Sequence, residues 1–138
     1  PVLPAGFAIR PLREVEVEAV AALHRAAFGT SYMTVGNRRA MMSEPEFDPA
    51  GDLVIVAPDG RLAAYTIASI SETENAISGQ AEGFTDPVAT HPDFRRLGLA
   101  RAVMLAGCAR LKARGATRAR LSTSSENTGM QAAAESAG

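Results

Sequence analysis

The chain has 138 residues, 46% hydrophobic and 21% charged, with a formal net charge of −1. That length and apolar content suit one domain, 1–138, with a substantial core, and the near-neutral balance supplies no field for nucleic acid or an anionic membrane. No apolar run reaches the ~18 residues a membrane-spanning helix needs, and the single Cys108 cannot form an internal disulfide, so the expected location is cytoplasmic.

Phe7-Ala8-Ile9-Arg10-Pro11-Leu12 reads as a first strand. Glu14, Glu16 and Glu18 favour a helix start, while Val17, Val20, Ala21, His24 and Phe28 recur at helical spacing, so an amphipathic helix is expected up to Gly29. A second, weaker helix is expected over 32–43, N-capped by Thr34 and closed off before Pro45. Leu53-Val54-Ile55-Val56-Ala57 and residues 61–70 flank Pro58-Asp59-Gly60, a turn chemistry that marks a hairpin. Residues 71–78 read as a polar loop leading into a strand that ends at Thr90. Pro87 lacks the N–H that a central strand donates, which places it at an edge or a bulge. An apolar helix follows Gly98 and closes with Arg110, Lys112, Arg114 and Gly115, cations in the last turn plus a glycine cap. With Arg118 and Arg120, these cations read as a solvated helix end and one strand face. A strand over 118–123 and a helix over 128–136 complete the order βααβββαβα, an α/β fold with a mixed sheet and no internal repeat.

Arg95-Arg96-Leu97-Gly98-Leu99-Ala100 puts two guanidinium groups and a side-chain-free glycine directly before that apolar helix. The first turn of a helix leaves backbone N–H groups unpaired at the positive end of the macrodipole, so a phosphate can be held there by the main chain. The chain has no GxxxxGK[ST] and no GxGxxG after its first strand, which weighs against a P-loop triphosphatase and a dinucleotide-binding unit. What remains is Arg-x-x-Gly-x-Ala, preceded by the strand-like Phe84-Thr85-Asp86-Pro87-Val88-Ala89-Thr90 and the turn His91-Pro92-Asp93.

At these residues the chain resembles the GNAT superfamily of acyl-CoA-dependent N-acyltransferases, whose signature is [Gln/Arg]-x-x-Gly-x-[Gly/Ala] between strand and helix. Residues 88–102 fit the longer pattern, and Asn127 with Glu135-Ser136-Ala137-Gly138 resembles the family's Asn…Glu-x-x-Gly segment. The resemblance implies a GNAT-like, mostly antiparallel central sheet flanked by helices, with acetyl-CoA as the default acyl donor. It implies direct transfer, in a ternary complex, to the amine of a small molecule or peptide. It also implies that the strand bearing Pro87 splays from the strand over 118–123, so that pantetheine amides pair with the free edge at Val88, Ala89 and Thr90. The amides from Leu97 through Leu99 and Ala100 to Arg101, with the Arg95 and Arg96 guanidiniums, would grip the pyrophosphate, and Asn127 would touch the pantetheine arm.

Acyl transfer to an amine needs a proton acceptor, donors for the developing oxyanion and an acid for the departing thiolate. Asp86 is the base candidate, since similar sequences carry an acidic residue just before the same Pro-Val. An aspartate's ordinary pKa near ~3.9 favours a water relay over direct deprotonation. Glu82 is the substitute, on the same strand face if the bulge lies after it. The plain alternative for Asp86 is an ordinary polar residue or Pro-associated turn former. Where many relatives have a tyrosine as the acid this chain has Ala134, which cannot donate a proton. That departure motivates a second reading, a non-catalytic acyl-CoA-binding or scaffolding domain. A third is an anion-binding regulatory module without CoA.

His24 is expected buried and hydrogen-bonded, Tyr65 in the core and Cys108 as a packed thiol. His91 is read as a turn residue, and Tyr32 as a surface anchor or an acceptor-side contact. Two histidines and one cysteine at unrelated positions give no metal site. The family usually continues past Gly138 with two more strands, so the chain reads as part of something longer, similar to one half of tandem-GNAT proteins. A second GNAT domain or a homodimer is the partner that reading calls for. The acceptor and the acyl-chain preference are not encoded by any motif.

Overall fold

In the computed structural model, which describes residues 3–31, 33–79 and 81–120, the apolar runs flanking Pro58-Asp59-Gly60 form the middle of the sheet. Asp52–Val56 (β2) and Leu62–Ser69 (β3) pair antiparallel and are buried along almost their whole length. Helices cover both of their faces, which is why they read as continuous apolar runs rather than as an alternation. Ala8–Pro11 (β1) adds antiparallel to β2, Glu82–Thr90 (β4) adds antiparallel to β3, and Arg118–Arg120 (β5) runs parallel to β4. The strand order is β1-β2-β3-β4-β5, the mixed, mostly antiparallel sheet expected of this α/β fold.

The expected first helix is present as a short 3-10 turn, Glu14–Glu16, followed by Val17–Phe28 (α1), and it ends at Gly29 with φ 63°. Val20 and Leu23 of α1 pack on Val54, Tyr65, Ile67 and Ala89, one face of the sheet. Val35–Met42 (α2) follows, capped as expected by the Thr34 hydroxyl, which accepts from the Asn37 N–H at 3.1 Å. The opposite face is covered by Leu99–Ala113 (α4), whose Leu99, Ala102, Val103 and Met104 pack on Leu53, Ile55, Ala64 and Val88. Burial of each of these Leu, Ile, Val and Met side chains contributes about 1.5–3 kcal/mol. The helix approaches the sheet closely because Gly107 has no side chain: a Cβ there would stand 2.8 Å from Thr85 Cγ2.

Three expectations need correction. Residues 71–78 are not a polar loop: Glu72–Ser78 forms a helix (α3) between β3 and β4, closed by the Asn75 N–H donating to Ser71 O at 3.0 Å. Ser71-x-x-Glu74 is a helix-entry spacing, and the absence of an apolar stripe hid it. Phe28, assigned to the buried stripe of α1, is 44% exposed, because α1 is ending there; the His24 ring lies beside it, 4.6 Å between centroids. Nor is Arg110 merely a solvated cation, since its Nε and Nη2 donate to the two carboxylate oxygens of Asp48 at 2.7 and 3.1 Å. That pair holds the carboxyl of Asp48 below its ordinary range and fastens the end of α4 to the segment entering β2. Among the described residues no helix is long and apolar enough to cross a membrane.

Candidate functional site

β3 and β4 stay in register from Ala64↔Thr90 to Thr66↔Val88 and resume at Ala68↔Thr85. Two steps on β3 therefore match three on β4, and Asp86-Pro87 takes up the extra residue opposite Ile67 as a β-bulge. This is where a proline can sit inside a sheet without removing a ladder hydrogen bond. The bulge lies after Glu82. Glu82 and Asp86 are four residues apart, about 13 Å along an extended strand. Glu82 is buried at the head of β4, where its backbone N–H donates to Asn75 Oδ1 and its carbonyl accepts from Asn75 Nδ2.

β5 pairs with β4 only across Glu82↔Arg118, Gly83↔Ala119 and Phe84↔Arg120. Among the described residues, then, the β5-side edge of β4 has no strand beside it from Thr85 to Thr90. Val88, Ala89 and Thr90 lie on that stretch, and the buried hydroxyl of Thr90 has no hydrogen-bond partner among the described residues. The continuation of β5 to residue 123, Asn127, the helix over 128–136 with Ala134, and Tyr32 all lie outside the described residues.

Beyond Thr90 the chain is tied down before it reaches the arginines. His91 Nδ1 accepts from the Asp93 N–H at 3.1 Å and caps a 3-10 turn, Pro92–Phe94. Phe94 enters the core, and the Arg61 guanidinium sits 4.6 Å above its ring while donating to Asp93 at 3.0 Å. His91 is thus a turn residue, as its sequence context indicates.

Arg96 follows with φ 65°, the one non-glycine positive φ among the described residues, and Gly98 with φ 77° and ψ 14° stands at the N-cap of α4. Such a conformation is uncommon for a side chain and points to a constrained, functional turn. A Cβ at Gly98 would meet nothing within 4 Å, so packing does not demand the glycine. The backbone conformation does, and the missing side chain leaves the approach to α4 open. Gly98, at the N-cap, has no side chain with which to cap α4, and Arg95, Arg96, Leu97 and Gly98 are all exposed. Leu97, Gly98, Leu99, Ala100 and Arg101 therefore form an uncapped helix start of the kind that holds anions. The two arginines differ: Arg95 Nη2 donates to Ala27 O, at the end of α1, at 2.9 Å.

On the α1 face of the same sheet lies a buried polar cluster that the sequence reading resolves only in part. His24 and Tyr65 are buried as expected, joined by a 2.6 Å hydrogen bond between His24 Nδ1 and the Tyr65 hydroxyl. Arg38, fully buried on α2, donates from Nη2 to Asp52 Oδ1 at 2.6 Å and lies 5.4 Å from the Tyr65 ring centroid. Burial pushes the Asp52 carboxyl up, and the Arg38 hydrogen bond and charge pull it back. Asp52 faces Ile67 in register, and Ile67 faces the bulge, so the cluster sits in the same row of the sheet as Asp86-Pro87.

Burial, with the nearby Arg38 charge, holds His24 below its ordinary value, so it is kept neutral in the fold. The unfolded chain takes up a proton near pH ~6.5 while the folded chain does not. Stability is therefore full above that pH and falls as pH drops through it. Urea unfolding from about pH 7 to about pH 5.5 is expected to show a midpoint that falls more steeply in the wild type than in His24→Gln; equal slopes would place the titrating group elsewhere.

Cys108 is half-buried on α4 and burial pushes its thiol up, which makes it an inert packed group. Among the described residues no group of three or more His, Cys, Asp or Glu side chains could hold a metal ion.

Fold and turn together define an α/β protein in which a bulged strand leads into a glycine turn at the start of an apolar helix. The chain belongs to the acetyltransferase (GNAT) family, whose model matches residues 17–138. It is 36% identical over 140 residues to a mycothiol acetyltransferase from Cellulomonas flavigena, covering 93% of this chain and 39% of that protein. It thus spans about two fifths of the length of the curated relatives it matches. Its fold is also that of a GCN5-related N-acetyltransferase from Sphaerobacter thermophilus, with TM-score 0.79 and 20% identity over 99% of this chain and 44% of that one. A further likeness is to aminoglycoside N-acetyltransferase AAC(6')-Iy in complex with CoA, with TM-score 0.75 and 18% identity over 99% and 91% of the two chains.

Proposed function

We propose that the chain is the acyl-donor half of an acetyl-CoA-dependent N-acetyltransferase, transferring the acetyl group directly to an amine in a ternary complex in the cytoplasm. The observation that carries this reading is the bulge at Asp86-Pro87, which leads, on one continuous stretch, into the start of α4 with positive φ at Arg96 and Gly98. The pyrophosphate sits on the amides from Leu97 to Arg101, with the Arg96 guanidinium and the remaining N–H groups of Arg95 beside it. Pantetheine amides pair with the edge at Val88, Ala89 and Thr90, where the unpartnered Thr90 hydroxyl supplies a further polar contact. Asn127 meets the same arm.

The thioester carbonyl then lies at the bulge, and the amine nitrogen attacks its carbon. The tetrahedral intermediate collapses with the C–S bond breaking, the amine proton leaves through water to Asp86 or Glu82, and the thiolate is protonated by solvent in place of a side chain at Ala134. Asp86→Asn is expected to lower kcat for acetylation by roughly 10²–10⁴-fold, with acetyl-CoA affinity measured by calorimetry unchanged. An unaltered rate removes Asp86 from the mechanism.

Ala134 supports a second reading, a domain that binds acyl-CoA and serves a catalytic GNAT domain or a second copy without reacting itself. Calorimetric binding of acetyl-CoA, with no acetyl transfer to any member of an amine panel by the full chain, favours that reading. Absence of binding overturns both.

A further inference from the structure

Residues 95–98 form an exposed span between two buried anchors, Phe94 and Leu99, which belong to one core cluster. Within it Arg96 has φ 65°, a conformation that persists for a side chain only where the surroundings over-determine it. On one side the span is fixed by α4, and on the other by a single turn, Pro92–Phe94. That turn is held from a distant part of the chain. Arg61, just before β3, reaches across with Nη1 to Asp93 Oδ2 at 3.0 Å, and its guanidinium lies 4.6 Å from the centroid of the Phe94 ring. Asp59 fixes that reach: its Oδ2 accepts from Arg61 Nε at 2.8 Å while its Oδ1 accepts from the Arg61 backbone N–H at 3.0 Å. The Phe94 ring also meets Phe7 and His91, each at 5.9 Å between centroids. A guanidinium is a rigid planar fork, so two carboxylates and a ring on one fork set its position and its orientation together.

We propose that Arg61 is a positioning residue for the acyl donor: from the β2–β3 hairpin it holds Asp93 and Phe94, so that the span 95–98 keeps the path on which its amides meet the pyrophosphate. This rests on the donor-site reading above. The hairpin lies on the β3 side of β4 and the edge at Val88, Ala89 and Thr90 on the β5 side, so Arg61 acts through the turn and not on the donor. Its part in folding is small, because the side chains of Arg61, Asp59 and Asp93 are each more than half exposed, where ion pairs add little stability. The sign of the charge at Asp93 separates positioning from simple attraction. Asp93 is a carboxylate close to a turn that receives an anion, so by charge alone its removal would tighten donor binding. As the acceptor of the Arg61 bond, its removal loosens the turn and weakens binding.

The experiment is calorimetric titration with acetyl-CoA of the wild-type chain, Arg61→Ala, Arg61→Lys, Asp93→Asn and the variant carrying both Arg61→Ala and Asp93→Asn, with urea midpoints measured alongside. Arg61→Ala is expected to raise Kd by roughly 5-fold or more, and Asp93→Asn to raise it too, while the variant carrying both binds no more weakly than the weaker single one. Arg61→Lys keeps the charge and loses the fork, so it is expected to bind as poorly as Arg61→Ala. A merely structural Arg61 would make the loss of affinity follow a loss of urea midpoint across the series, and that result overturns the proposal. So does an unchanged Kd in Arg61→Ala, full rescue by Arg61→Lys or tighter binding by Asp93→Asn, and each of these leaves the donor site standing. Acetyl-CoA that does not bind the wild type overturns the donor-site reading and this inference with it.

Discussion

Gly98→Glu is expected to abolish acetyl-CoA binding while leaving a folded protein. The backbone at Gly98 has φ 77°, a left-handed conformation in which a Cβ costs about 1–2 kcal/mol. No steric penalty adds to it, because a Cβ there meets nothing within 4 Å. A carboxylate at the start of α4 also interacts favourably with the helix dipole, by about 0.3–1 kcal/mol, which offsets part of the strain. The net loss of stability is therefore small, a few degrees in Tm at most for a chain of this size. On binding the balance reverses. The new carboxylate stands where a phosphate must come, and two like charges at ~4 Å repel by about 4 kcal/mol at an effective dielectric constant near 20, roughly a thousandfold in Kd. Gly98→Ala separates the two effects, since it carries the strain without the charge and is expected to retain binding. Calorimetric titration of both variants with acetyl-CoA is the test, and Gly98→Glu binding as the wild type does would remove the turn from the donor site.

The strands and long helices are legible in the sequence because their signals are local. Apolar runs around Pro58-Asp59-Gly60, a 3.6-residue stripe from Val17 to His24, and the Thr34 cap each act within a few residues. α3 escapes because it is short and polar, and its tie to the sheet runs through Asn75 to the backbone of Glu82, a contact made only when β4 is in place. Phe28 fits the stripe of α1 but sits where the helix runs out of sheet to cover.

The turn before α4 is legible for the same reason: its glycine, its flanking arginines and the helix onset are contiguous in sequence. Pro87 in a strand likewise announces the bulge. By contrast Arg38 looks like its neighbour Arg39 on a polar helix, and only the chain's path over the sheet tells that one is buried against Asp52 and the other exposed. Arg95 shows the limit from the other side. The motif supplies the residue, and only the tertiary structure shows that its guanidinium reaches the end of α1.

Arg38→Ala is expected to remove about 3–5 kcal/mol of stability, because it leaves the Asp52 carboxylate buried without its partner. The side chains of the pair are 1% and 2% exposed, so neither charge can turn to water. The truncation also vacates the space under the Tyr65 ring, where a stacked guanidinium now lies. Against a total of about 5–15 kcal/mol for a domain, that loss brings the variant to the edge of folding. Yet the pair is not a net source of stability. Among the described residues Arg38 Nε and Nη1 and Asp52 Oδ2 are buried with no hydrogen-bond partner, so much of the desolvation of both ions goes uncompensated. Replacing both at once, with Arg38→Met and Asp52→Leu, is therefore expected to bring the urea midpoint back to the wild-type value or above it, as removal of a buried ion pair in favour of packed apolar groups commonly does. A single variant that costs under about 1 kcal/mol would show water reaching the pair. A double variant as unstable as the single would show that the ion pair, rather than apolar fit, fixes α2 on the sheet.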